Sequence, residues 1–285
     1  MKIGFIGTGV MGTGIINNLL KHQEVGVYNR TKSHAVAVME NGAQWYDTPA
    51  ELTKQSDVVF TMVGFPTDVE ELYFGENGIL TNVHAGQYLV DMTTSKPSLA
   101  KKIAEEGAKQ GVHVLDTPVS GGDIGAKKGT LTAMVGGQKE DLNTLQPLFE
   151  QFSSSVQYFG DAGSGQNAKM ANQIMIAGTM LGMSEALVYA KAAQLNLREV
   201  MKTLQSGAAE NFSLGIYGPR ILKGDYTPGF FAKHFLKDLR IALEEAQKMG
   251  IKVPMTREAT RLYNELINAG YGNDGTQALV KLWWG

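Results

Sequence analysis

The chain opens Lys2-Ile3-Gly4-Phe5-Ile6-Gly7-Thr8-Gly9-Val10-Met11-Gly12, an apolar run that leads directly into G-x-G-x-x-G. The order constrains the fold more than the glycines do, because a chain with 34 glycines produces look-alikes by chance. A buried strand, a tight turn and a helix start bring backbone N–H groups and a positive helix end to one point, and a pyrophosphate suits such a point. The helix-like run Ile15 to Lys21 follows. Gly7, Thr8, Gly9, Val10, Met11 and Gly12 are therefore read as the dinucleotide-holding loop of a Rossmann-type unit.

Composition narrows the rest. The 285 residues are enough for two domains with cores of their own. A net charge of −2 gives no electrostatic case for nucleic acid or an anionic membrane. The absence of cysteine removes disulfides, thiolate nucleophiles and cysteine-bound metal. The long apolar stretch Met170 to Ala193 carries Asn172, Gln173, Glu185 and Lys191, which makes it a buried helix rather than a membrane span. The chain enters a strand at once, with no visible signal peptide, so a cytoplasmic protein is expected. The five histidines show no metal-ligand spacing, and no metal is expected.

Apolar runs at Ile3–Ile6, Val25–Tyr28, Val58–Val63, Tyr88–Met92, Val112–Leu115, Leu131–Val135 and Val156–Phe159 alternate with helical patterns. That alternation predicts a parallel doubly wound sheet. Thr48-Pro49-Ala50-Glu51 marks one helix start, and Thr67 with Glu70 suggests another. After Gly160 almost nothing reads as strand, and a long helical pattern begins near Gln166. The expected architecture is α/β: a dinucleotide-binding domain at 1–161, then an all-helical substrate and oligomerisation domain at 162–285, joined by a long interdomain helix. The spacing Gly178 to Gly182 suits close helix packing within the chain or across a dimer.

In an NAD-binding unit, an acid about twenty residues past the glycines accepts hydrogen bonds from the ribose 2′-OH. Here the second strand runs into Asn29-Arg30-Thr31-Lys32, with no acid. Arg30 offers a planar fork of donors and Thr31 a hydroxyl, which favours NADP over NAD. Two further segments look chemical. Asp116-Thr117-Pro118-Val119-Ser120-Gly121-Gly122 places a hydroxyl and two glycine amides after a strand, either as a cradle for a carboxylate or as a plain glycine turn. On the long helix Lys169 and Asn172 share a face one turn into an apolar stretch. The lysine there is either a proton donor to a reacting oxygen or a side chain snorkelling from the first turn.

Taken in order, the glycine fingerprint, the D-x-P-V-S-G-G segment and Gly163 to Lys169 resemble the β-hydroxyacid dehydrogenase family, which includes 3-hydroxyisobutyrate dehydrogenases, tartronate semialdehyde reductases and glyoxylate/succinic semialdehyde reductases. Lys237-Asp238-Leu239 with Ala242, and the Gly270 to Leu279 tail, are similar to the family's later segments. The likeness covers nearly the whole chain, and Lys169 to Gln173 is nearest the tartronate semialdehyde reductase pattern. Gln277, where serine is common, is a minor departure. The resemblance implies Lys169 as catalytic acid/base, with Asn172 orienting substrate. It implies Ser120, Gly121 and Gly122 on the substrate carboxylate, with Gln173, Phe230 and Asp238 around the substrate. It also implies Val63, Thr94 and Lys237 at the cofactor. The expected substrate is a short carboxylate-bearing aldehyde or hydroxy acid, in a homo-oligomer. An imine reductase, a 6-phosphogluconate-type dehydrogenase and a non-catalytic NADP-binding protein are the competing readings.

Overall fold

The computed structural model describes residues 1–284. They fall into two compact units, 1–169 and the remainder from Met170.

The first unit runs β1 (Ile3–Ile6), α1 (Val10–Leu19), β2 (Val25–Tyr28), α2 (Val36–Glu40), β3 (Gln44–Trp45), α3 (Pro49–Lys54), β4 (Val58–Thr61), α4 (Pro66–Phe74), β5 (Tyr88–Asp91), α5 (Pro97–Lys109) and β6 (His113–Asp116). It continues with β7 (Val119–Ser120), α6 (Gly122–Lys128), β8 (Leu131–Gly136), α7 (Lys139–Phe149) and β9 (Ser153–Gly160), and α8 (Ser164–Ala192) begins in it. The sheet order is β3-β2-β1-β4-β5-β6-β8-β7, with β9 also on β8. From β3 to β6 every pairing is parallel, whereas β8 runs antiparallel to β6 and β7. This is the order of a dinucleotide-binding sheet.

Helices cover both faces, so the central strands read as unbroken apolar runs rather than alternating ones. Phe5, Val58 and Phe60 join one core with Ile15, Leu19, Phe149 and Phe152. Their strand neighbours Ile6 and Val59 join the other with Leu52, Val69 and Leu89. The helix start at Thr48 forms as its sequence predicts: Thr48 Oγ1 accepts from Glu51 N at 3.1 Å. The one proposed at Thr67 does not. Pro66 takes the first helical position, and Asp68, not Glu70, reaches back to Phe65 N at 3.0 Å. Two short strands, β3 and β7, escape a pattern search because two residues carry no periodicity.

In the second unit, α8 is followed by α9 (Leu197–Gln205), α10 (Phe212–Leu222), α11 (Ala232–Lys248) and α12 (Pro254–Leu266). One core gathers Phe235, Leu239, Leu262, Tyr263 and Leu266. A second gathers Met180, Met183, Leu187, Met201 and Ile221, with Trp284 packed against it while Trp283 stays exposed. The sole strand-like feature among the described residues of this unit is a bridge between Phe231 and Gly275. The glycine pair on α8 meets no crowding: a Cβ at Gly178 would touch Met255 at an ordinary 3.5 Å, and one at Gly182 would touch nothing.

Candidate functional site

The glycine loop is built from backbone contacts that admit no side chain. Gly7 N donates to Tyr28 O at 2.9 Å, and Gly7 has φ +107°. A Cβ there would lie 2.1 Å from Met62 O, and one on Gly12 would lie 2.0 Å from Gly7 O, which is what closes α1 onto the strand. Gly9 has open space around it and stands at the start of α1. No side chain caps that helix and its first turn holds no acid, so its leading N–H groups and positive end remain available to an anion. Thr8 Oγ1 is buried without a partner among the described residues. Val10 is exposed and Met11 packs on the core. An uncapped helix start, an open glycine and an orphaned hydroxyl fit a dinucleotide pyrophosphate.

Beside this loop, Thr8 N donates to Asn29 Oδ1 at 3.0 Å and Asn29 Nδ2 donates to Thr31 O at 2.9 Å. Arg30 is exposed, with Nη1 3.5 Å from Asp68 Oδ1. Lys32 is turned aside, its Nζ 4.8 Å above the Trp45 ring.

The second cluster hangs on the carboxyl ends of β4, β5 and β6. Asp91 Oδ1 accepts from Thr61 Oγ1 at 2.9 Å and Thr93 N at 3.0 Å, and Thr93 Oγ1 accepts from Val63 N at 3.0 Å. Asp116 receives the first turn of α8: its Oδ1 accepts from Gly163 N at 2.7 Å and its Oδ2 from Gln166 N at 2.8 Å. Gln166 in turn donates to Thr93 O at 2.7 Å and accepts from Ser95 N at 2.9 Å. Burial pushes the Asp116 carboxyl up to about 6, against the two backbone donors and with a further push from Asp91. One turn along α8, Lys169 is 7% exposed and its Nζ donates to Val119 O at 2.9 Å. The amine is thus buried against the residue preceding Ser120, not snorkelling to solvent. Gly121 and Gly122 follow at φ +126° and +63°, where a side chain would be strained. Thr94 is half-buried nearby in sequence.

The second unit gathers a separate polar chain. Asn172 Nδ2 donates to Gln173 Oε1 at 2.7 Å, and Gln173 Nε2 donates to Asp238 Oδ2 at 2.6 Å. Lys237 Nζ lies 2.8 Å from Asp238 Oδ1, and Asp238 is 1% exposed. Phe230 stands outside this chain, its ring edge-on to Phe235 at 5.9 Å. A cavity of about 760 Å³ lies elsewhere, by the amino ends of β1 and β2, lined by Lys2, Val25, Gln44 and Ser56. It contains none of the candidate residues. Among the described residues no group of three or more His, Asp or Glu could hold a metal, and no helix is long and apolar enough to cross a membrane.

The supports are not legible as motifs: Asp116 stands only as the head of a loop motif, and Asp91 and Thr93 flank the end of the Tyr88–Met92 run with no pattern of their own. Gln166 carried a signal, being three residues before Lys169 on the same helix.

Residues 2–160 match the family model of the NAD-binding domain of 6-phosphogluconate dehydrogenase. Residues 163–283 match that of the NAD-binding region of NADP-dependent 3-hydroxyisobutyrate dehydrogenase. The chain is 51% identical to the uncharacterized oxidoreductase YkwC of Bacillus subtilis (strain 168), covering 99% of this chain and 98% of that protein. It is 36% identical to 2-hydroxy-3-oxopropionate reductase of Escherichia coli (strain K12), covering 99% and 96%. Its structure is similar to that of Psf3 in complex with NADP+ and 2-OPP, at a TM-score of 0.92 and 26% identity, covering 98% of this chain and 99% of that one.

Proposed function

Because this chain belongs to the 3-hydroxyisobutyrate dehydrogenase-like family of NAD(P)-dependent oxidoreductases, we propose that it interconverts a short β-hydroxyacid or related hydroxy acid and its semialdehyde or keto form. One observation carries the reading above the others: a buried ammonium, Lys169, held at the carboxyl edge of the sheet one residue from the Ser120–Gly122 turn.

In the proposed reaction Lys169 is the catalytic acid/base. Its Nζ donates a proton to the substrate oxygen as negative charge gathers there, and takes it back in the oxidative direction. Val119 O keeps one donor of the amine in a set direction until then. Ser120, Gly121 and Gly122 are assigned to the substrate carboxylate. Asn172, Gln173, Phe230 and Asp238 are assigned to the substrate and Lys237, Val63 and Thr94 to the cofactor, as the resemblance implies. Gly7 to Gly12 would hold the pyrophosphate of NADP(H), with Asn29, Arg30 and Thr31 towards the adenosine ribose. Bound NADP(H) is the hydride source and sink of this chemistry.

NADP is favoured over NAD because β2 ends without an acid and with the exposed fork of Arg30. The proposal extends to a cytoplasmic homo-oligomer. Exposed apolar side chains of the second unit, Met175, Tyr189 and Phe212, support the self-association. The presence of Lys169 on α8 weighs against an imine reductase, and the lack of a basic cluster for a sugar phosphate weighs against a 6-phosphogluconate-type enzyme. The test is turnover of a panel of short semialdehydes, cyclic imines and 6-phosphogluconate, each with NADPH and NADH. Activity with a carboxylate-bearing semialdehyde and a lower KM for NADPH are expected. Turnover of imines alone, or cofactor binding without any hydride exchange, would overturn the assignment.

A further inference from the structure

Arg30, the residue assigned to the 2′-phosphate, already faces a carboxylate. Asp68 stands in the first turn of α4 with its two oxygens divided. Oδ2 accepts from Phe65 N at 3.0 Å and closes the helix start, while Oδ1 lies 3.5 Å from Arg30 Nη1. The cap bond ties down the carboxylate, whose side chain is 25% exposed, whereas the Arg30 side chain is 83% exposed. The neighbouring cation, Lys32, is drawn over Trp45. The end of β2 thus lacks an acid in its own sequence but receives one from another element.

We propose that Asp68 is a specificity-determining residue for the cofactor, lowering the affinity for the 2′-phosphorylated dinucleotide while leaving that for the unphosphorylated one unchanged. The inference rests on the reading that Arg30 meets the adenosine ribose. A 2′-phosphate brings up to two negative charges. It must compete with Asp68 for the Arg30 fork and then lie beside a carboxylate that its cap bond prevents from withdrawing. A 2′-hydroxyl is neutral and meets neither obstacle. At a largely solvated site the like-charge term is modest, on the order of three- to tenfold in binding. Cofactor preference is then the difference between an attraction at Arg30 and a repulsion at Asp68.

The experiment measures dissociation constants of NADP+ and NAD+ by isothermal titration calorimetry for the full-length wild type, Asp68→Asn and Arg30→Ala, at low and high salt. Asparagine keeps an oxygen for Phe65 N, so α4 retains its start and only the charge is lost. Asp68→Asn is expected to tighten NADP+ about three- to tenfold and to leave NAD+ within about twofold, the gain shrinking at high salt. No tightening of NADP+, or equal tightening of both, would overturn the inference. Arg30→Ala tests the underlying reading separately. If it fails to weaken NADP+, the 2′-phosphate assignment is wrong; if it weakens NADP+ while Asp68→Asn changes nothing, the role of Asp68 alone is withdrawn.

Discussion

Asp116 shows how a single side chain can hold a site together at some cost to the fold. Its two oxygens take the N–H groups of Gly163 and Gln166, so it replaces water and neighbouring side chains at the start of α8. The same burial raises its carboxyl to about 6, above the ordinary value of 3.8. The folded state therefore holds a proton that the unfolded chain releases, and the contribution of Asp116 to stability falls as pH rises through the window between those values, then levels off. Asp116→Asn cannot titrate. Relative to that variant, the wild type should lose about 2 kcal/mol of stability between about pH 4 and about pH 7. Denaturant unfolding of both proteins across that range checks it, and two parallel stability curves would show the shift to be absent.

Among the elements, α1 and α6 illustrate what a pattern search can and cannot see. The start of α1 follows from Gly7 to Gly12, because chain reversal at Gly7 and close packing at Gly12 leave no room for a Cβ, while Gly9 leaves open space at the helix end. Its packing partner did not follow from the sequence. Gly14, outside the fingerprint, lies so close to α6 that a Cβ would stand 2.8 Å from Ala126 C and 3.0 Å from Lys127 N. Backbone at that distance cannot yield as a side-chain end can. Gly14→Ala should cost about 1–3 kcal/mol and lower Tm by several degrees. An unchanged Tm would mean that the helices have room to part. Periodicity likewise found the longer strands but not β3 or β7, and it placed a helix start at Thr67 where Pro66 and Asp68 had already made one.

For the whole molecule, the sequence exposed the chemistry-bearing residues better than it exposed what steadies them. Lys169, Ser120 and the glycine loop stand out because each breaks a local rule: a charge in an apolar helix, glycines where a strand should turn. Asp91, Thr93 and Asp116 break none, since an acid or threonine at a strand end is unremarkable until the third dimension brings α8 to it. The polar chain from Asn172 through Gln173 to Asp238 spans 65 residues between its last two members, a separation that no spacing argument covers. Family likeness marked those residues; the fold supplies their hydrogen bonds. The assignment to hydride-transfer chemistry gathers on the buried amine of α8, and one comparison tests it most directly: steady-state turnover and NADPH affinity of Lys169→Ala beside the wild type. A fall in kcat of about a hundredfold or more, with the NADPH dissociation constant nearly unchanged, is the predicted result. Near-normal turnover by the variant would contradict the account.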